Sequence, residues 1–279
     1  MIRNPSSTHP LLFQDKNYCI GELPFLEKLR IVFRLLKNPA TVFLEKLKLR
    51  RDVLYETKSG IKFKTRAGTT DINEAVVVLS GKEYPSALVD IAHLERPVVI
   101  DCGAHIGTFT LFVKNLNGSA RVYAIEPLPQ NLRLLKENLQ LNAIRDVTVI
   151  EKALHSTSAD LSLYVTDDDF DRASISSTDD LNRRAVKVAA TTLADIVNTH
   201  ALRTIDLLKM DIEGSEYEIL RSSFPILFET VRRLIMEYHI TEDHPDGREE
   251  LVNHLTSSGD FCLVYETKNL LGFQNRRFP

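Results

Sequence analysis

From Pro97 onward, short apolar runs alternate with amphipathic stretches of helical period, and this alternation constrains the fold more than any other feature of the chain. Residues 98–101 (VVID) read as a buried strand between Pro97 and a glycine turn, and 106–116 (IGTFTLFVKNL) as a helix. A strand over 121–126, a strongly amphipathic helix over 129–142 and a third strand over 147–154 follow. Later come a helix over 192–200 capped by Thr191 or Thr192, a strand and exit loop over 205–214, and a helix over 216–223. A strand over 231–239, a helix over 248–258 and a strand over 260–266 complete the pattern, and the remainder supplies one last edge strand. Repeated strand–helix–strand units predict an α/β fold with a mostly parallel, seven-stranded sheet flanked by helices.

Upstream of this core, residues 1–23 are polar and read as a loose arm. Pro24 opens a helix with Leu26, Leu29, Val32, Phe33 and Leu36 on one face, and Pro39 opens a second. Eight basic residues against Glu27 and Glu45 give the 24–51 stretch a charge of +6. The expected role is a helical cap with a solvated basic face; the alternative is a surface for a membrane or an acidic partner. Residues 53–66 read as a hairpin turning at Ser59-Gly60, and a helix capped by Thr70 or Asp71 ends at Gly81. The expected division is an arm and helical extension over 1–52 and a main domain over 53–279, with 155–190 as an inserted hairpin and loop. The DDDFD run at 167–171 within that insertion reads as solvated loop.

Composition excludes several classes. The 35 basic and 38 acidic side chains leave a net charge of −3, which provides no general attraction for nucleic acid. Cys19, Cys102 and Cys262 are odd in number and widely separated, without metal-site spacing or a disulfide framework. Neither a signal-peptide run nor a membrane span is evident, so cytoplasmic residence is the expectation. Hydrolase and P-loop motifs do not occur.

The sharpest local signal is Asp101-Cys-Gly103-Ala-His-Ile-Gly107, between an apolar strand and a helix. Such glycines adopt positive φ and let a ligand approach the backbone, while the helix start adds N–H donors. Cys102 stands where a dinucleotide fingerprint needs glycine, which disfavours a pyrophosphate ligand. Asp101 suits a cation such as an α-ammonium group, and Glu126, ending the next strand, suits two ribose hydroxyls. Together these point to a ribonucleoside ligand; the alternative is a tight structural turn with an exposed Glu126.

VVIDCGAHIGTFT resembles the first motif of class I S-adenosylmethionine (SAM)-dependent methyltransferases, and DLLKMDIEGSE (206–216) resembles the signature of the FkbM family. The 65–84, AIEPLPQNLRLLKENLQLN and IMEYH (235–239) segments extend the resemblance over about residues 65–266. The resemblance implies the Rossmann-like class I methyltransferase fold. It implies that Asp101, Gly103, Ala104 and Gly107 hold the methionyl end of SAM and Glu126 the ribose. Lys152 and Ala153 would flank the adenine, with Asp71 and Tyr84 closing over the cofactor.

Asp211, Glu213 and Glu216 lie within one turn of one another, and Glu237 and His239 end the neighbouring strand. Carboxyl ends of adjacent parallel strands border the ligand crevice. Methyl transfer to an alcohol needs in-line positioning and a base for the hydroxyl proton. His239 or Asp211 is the expected base, with Glu213 and Glu237 orienting it or the acceptor; the bland alternative pairs Glu213 or Glu216 with Lys209 or Arg221. A divalent cation on Asp211, Glu213 and His239 is allowed but not expected. The reading is an O-methyltransferase converting SAM to S-adenosylhomocysteine (SAH), with a small-molecule acceptor such as a sugar, polyketide or other secondary metabolite. N-methylation of an amine, a non-catalytic SAM- or nucleoside-binding module, a dehydrogenase and an interaction protein using the basic helices are the competing classes. A homo-oligomer is left open.

Overall fold

A computed structural model describes residues 25–45, 51–82, 84, 89–165, 184–241 and 243–278. The arm, the Lys46–Arg50 end of the second basic helix and the DDDFD run lie outside the described residues. Helices α1 (Phe25–Leu35) and α2 (Thr41–Glu45) precede the hairpin β1 (Asp52–Glu56) and β2 (Lys62–Arg66). α3 (Asp71–Leu79) and α4 (Val89–His93) lead into β3 (Val98–Cys102), α5 (Thr108–Leu116), β4 (Arg121–Ile125), α6 (Pro129–Leu141) and β5 (Val147–Ile150). The insertion holds β6 (Ala153–Leu154), β7 (Leu161–Val165), β8 (Arg184–Val188) and β9 (Ala190–Thr191). The chain then runs through α7 (Leu193–Thr199), β10 (Leu207–Met210), α8 (Glu216–Thr230), β11 (Arg233–Glu237), α9 (Gly247–Thr256), β12 (Phe261–Glu266) and β13 (Leu270–Asn275).

The seven-stranded sheet has the order β12-β13-β11-β10-β3-β4-β5. β11, β10, β3, β4 and β5 pair in parallel, while β13 runs antiparallel to both its neighbours. Alternate side chains serve opposite faces of the sheet. Val99, Val122, Ala124, Leu207 and Ile235 join a core with α1, α3, α5, α6 and the hairpin. Ile100, Ile125, Leu208, Met210, Leu234 and Met236 join a second core with α7, α8 and α9. α1 contributes Ile31 and Val32 to the first core, followed by Leu36 just beyond its end.

Three sequence expectations are corrected here. The strand expected over 147–154 is two strands: β5 in the main sheet and β6, which pairs with β9 in a separate two-stranded sheet. The exposed Glu151 and Lys152 form the step between them. The helix expected over 216–223 continues to Thr230 through Pro225. Its missing N–H is tolerated because Ile219, Leu220 and Leu227 anchor both sides of the proline in the second core. The last strand is not at the edge: β13 lies between β11 and β12, and the edge is β12. Burial along β13 is nearly continuous, whereas β12 is mostly half-exposed, as its edge position requires.

Candidate active site

The carboxyl ends of β3, β4, β10 and β11 converge on a cavity of about 260 Å³. Gly103 and Glu126 border it on one side, Asp211, Glu213 and Glu237 on the other, and Ile125, Leu128, Ala153, Leu154 and Leu163 form an apolar wall. Leu163 comes from the inserted hairpin, which packs through Leu163, Val165 and Val188 on Leu128 and Ala153.

The glycines of the first loop serve the protein's own packing. Gly103 (φ +75°) is forced, because a Cβ there would lie 1.9 Å from the backbone oxygen of Asp211. At Gly107 (φ +89°) a Cβ would lie 2.5 Å from Leu135 Cδ1 of α6. The loop also bends at His105, whose φ is +51°. Glu126 is buried at 4% exposure rather than exposed on a turn. Its Oε2 accepts from His105 N at 2.9 Å; its Oε1 accepts from Leu128 N at 2.9 Å and Asn131 Nδ2 at 3.1 Å. Burial pushes its pKa up against these bonds. A carboxylate has about four acceptor positions, so Oε2 keeps one.

A matched charge cluster adjoins this loop, and its Glu74 and His105, with Asn131, line the cavity. Arg66 donates from N and Nε to Asp71 Oδ2 at 2.8 and 2.9 Å, and from an Nη to Oδ1 at 2.7 Å. Its other Nη donates to Asn131 Oδ1 at 2.8 Å, linking the pair to Glu126's partner. His105 lies 3.3 Å from Asp71 Oδ1 through Nε2 and 2.6 Å from Glu74 Oε2 through Nδ1. Burial alone would raise the Asp71 pKa, but His105 and Arg66 outweigh it and hold the carboxyl well below its usual range.

On the far side, Lys209 Nζ donates to Gly103 O at 3.0 Å and stands 3.5 Å from Asp101 Oδ1 and 3.4 Å from Asp211 Oδ2. Asp101 is fully buried and accepts from Thr110 Oγ1 at 2.7 Å. The cation that Asp101 meets is therefore the protein's own lysine, and Asp101 does not line the cavity. Glu216, also fully buried, closes the Asp211–Gly214 loop by accepting from Ile212 N at 3.2 Å and Gly214 N at 2.9 Å. Its Oε1 lies 3.1 Å from His239 Nδ1, and His239 Nε2 lies 3.5 Å from Glu213 Oε2. Burial disfavours a charged His239, but Glu216 and Glu213 outweigh it and raise its pKa to about 10. Burial pushes Glu213 up to about 7, with His239 opposing and Asp211 and Glu237 reinforcing the shift. Glu237 is pushed up to about 7 by burial and by repulsion from Asp211. Glu213 adopts φ +55°, a strained conformation for a non-glycine residue.

The structure thus brings Gly103, Glu126, Ala153, Asp211, Glu213 and Glu237 to one cavity, with His239 in contact behind Glu213. It places Asp101, Ala104, Gly107, Lys152, Asp71 and Tyr84 off the cavity wall. Lys152 is exposed, and Tyr84 is buried edge-on against Phe109 at 5.0 Å. The pairing of Glu216 is with His239 and the loop backbone, while Arg221 pairs with Glu250. Sequence reasoning missed Arg66, Asn131 and Leu163. Arg66 and Asn131 stand inside the two segments that carry the resemblance, and the apolar pattern of LSLYV was the signal for Leu163. Ligand atoms of Asp211, Glu213 and His239 lie within 4.8 Å of one another, close enough to hold a cation.

The sequence profile of the methyltransferase FkbM domain matches residues 101–261, more than half of the chain. Methyltransferase sdnD of Sordaria araneosa is 29% identical over 178 residues, covering 53% of this chain and 69% of that protein. Methyltransferase 1 of Beauveria bassiana is 24% identical over 194 residues, covering 63% of this chain and 71% of that protein. Among solved structures, M. jannaschii TYW2 in complex with AdoMet aligns at 17% identity and a TM-score of 0.42, over 81% of this chain and 87% of that one. The fold and family together define a SAM-dependent methyltransferase. The chain belongs to the FkbM methyltransferase family. The cavity fits SAM in kind: an apolar wall for a purine, a free acceptor position on Glu126 for a hydroxyl, and carboxylates for a cation. No helix among the described residues is long and apolar enough to cross a membrane.

Proposed function

We propose that the protein transfers the SAM methyl group to a hydroxyl of a small metabolite, a sugar or polyketide among the candidates, with Glu237 taking the proton. The observation that carries this reading is the carboxylate pair Glu213 and Glu237. Both line the cavity, and both have their pKa raised to about 7. A base is most effective when its pKa lies near the working pH. Glu237 meets that condition, whereas His239, raised to about 10, is protonated and suits orienting Glu213 and balancing its charge. In this assignment Glu126 receives a ribose hydroxyl, and Ile125, Leu128, Ala153, Leu154 and Leu163 receive the adenine. The Gly103 loop, with Asp211 beside it, borders the methionyl end. Bound SAM supplies an electrophilic methyl group; these residues align it, exclude water and move the acceptor proton.

The net charge of −3 provides no general attraction for a polyanionic acceptor, which favours a small one. The crowd of carboxylates favours one second reading, an amine acceptor, because it would attract an ammonium group. The test is product analysis after incubation with labelled SAM and matched hydroxyl and amine acceptors. An O-methyl resonance and a product heavier by one methylene support the proposal. Transfer to nitrogen alone, or absence of SAM and SAH binding by calorimetry, overturns it.

A further inference from the structure

α1 is amphipathic twice over. Its inner face is already spent: Ile31 and Val32 are buried in the first core, as is Leu36 just beyond the helix. The outer face nevertheless carries Leu26 at 69% and Phe33 at 52% exposure, with Arg30 and Arg34 exposed beside them. Positions 26, 30, 33 and 34 follow the i, i+4, i+7, i+8 spacing of a single helical stripe. A helix that meets its packing needs on one side has no folding reason to present Leu and Phe on the other.

The neighbouring elements extend this character. Phe43 on α2 and Leu54 on β1 are also exposed, and the Leu54 carbonyl accepts from Asn38 Nδ2 in the turn between α1 and α2. Among the described residues, four of the six exposed large hydrophobics therefore fall between positions 26 and 54. Lys58, exposed, donates from Nζ to the Phe33 carbonyl and adds a cation at the stripe. The 24–51 stretch carries +6 while the whole chain carries −3, so the rest carries −9. Charge so divided along the sequence favours contact of this segment, with the exposed Arg30 and Arg34 of α1, with an anionic surface.

We propose that the outer face of α1, with Leu26 and Phe33 as apolar anchors and Arg30 and Arg34 as cationic contacts, docks the enzyme on the surface of an anionic lipid bilayer. Outward-facing large apolar side chains interleaved with arginines match the interface between acyl chains and headgroups, where both are satisfied at once. Binding is peripheral and reversible, since the apolar contribution is only a few side chains. The consequence for function is an enzyme concentrated where a membrane-associated acceptor would be presented.

The test is co-sedimentation of the full chain with vesicles of phosphatidylcholine alone or mixed with phosphatidylglycerol. Association with the mixed vesicles only, falling steeply as salt is raised, is the expected result. Arg30→Glu with Arg34→Glu should weaken it at least about tenfold. Leu26→Ser with Phe33→Ser should weaken it about tenfold while leaving SAM binding and the thermal transition unchanged. Absence of association with mixed vesicles at low salt overturns the proposal, as does equal binding by the variants. So does a concentration-dependent dimer that Phe33→Ser abolishes without any vesicle binding, which would make this face a protein interface.

Discussion

Two clusters of charge, one buried and one half-buried, flank the first glycine loop, and they are built to opposite rules. In the Arg66, Asp71 and His105 cluster each charge meets a partner of opposite sign at hydrogen-bonding or ion-pair distance, and the Asp71 carboxyl is held far below its ordinary pKa. In the Asp211, Glu213, Glu237 and His239 cluster, carboxylates outnumber cations, and two of them rise to about 7. Burial opposes the charged carboxylate in both; what differs is the count of cations within reach. A matched cluster keeps its carboxylates ionised, as the lowered pKa values of Asp71 and Glu74 show. A mismatched one sits on the edge of gaining or losing a proton, the property that acid–base chemistry needs.

The contrast is broken most severely at Glu237. Glu237→Gln should lower kcat roughly 10²- to 10⁴-fold while the protein stays folded. The wild-type rate should climb with pH to about 7 and level off, and the variant's should be flat. Retention of more than a tenth of the activity with the wild-type pH profile would place the base elsewhere.

Next comes Arg66→Met, which removes both side-chain bonds from Arg66 to the buried Asp71 and leaves it His105 and the backbone N–H; it should cost about 3–5 kcal/mol in urea unfolding. A loss below about 1 kcal/mol would mean that the Arg66 and Asp71 pair contributes little to stability. His239 sharpens the comparison through pH. Its folded pKa, about 10, lies above the ordinary 6.5, so its contribution is fully present below 6.5 and is lost as pH rises through about 10. The stability gap between wild type and His239→Asn should therefore shrink by on the order of 3 kcal/mol across that window. A gap independent of pH would show that His239 is neutral in the native state.

The smallest effect is expected at Glu126, where three donors already hold the carboxylate. Glu126→Ala should weaken SAM and SAH by about tenfold or more, roughly 1.5–3 kcal/mol by calorimetry. Unchanged affinity would remove Glu126 from the cofactor site.

Much of this was legible in the sequence, and the exceptions share a cause. Parallel strands buried on both faces write themselves as continuous apolar runs, so β3, β4, β10 and β11 stood out. The place of β13 inside the sheet did not, because the order of strands is a property of pairing and not of pattern. DIEGSE showed where the carboxylates gather, and Gly103, Asp211, Glu213 and Glu237 do line the cavity. Asp101 was expected to meet a cation, and the cation beside it in the structure is Lys209. Lys209 comes from a strand more than a hundred positions away, and although it stands inside DLLKMDIEGSE, that motif does not tell which carboxylate it meets. His239 was expected as a base from its unperturbed pKa; Glu216 and Glu213 beside it raise that pKa to about 10, which favours the orienting role proposed above.

The near contact of Gly103 with the Asp211 carbonyl has a mechanical consequence. With no side chain between them, the Gly103 loop and the Asp211 loop meet backbone to backbone, so a displacement of one presses directly on the other. Lys209, bonded to the Gly103 carbonyl and facing Asp211, ties the same two segments electrostatically. In the proposed reaction, the gap between donor and acceptor would thereby be gauged by the backbone itself. The walls that choose the acceptor remain free to change without disturbing that gauge.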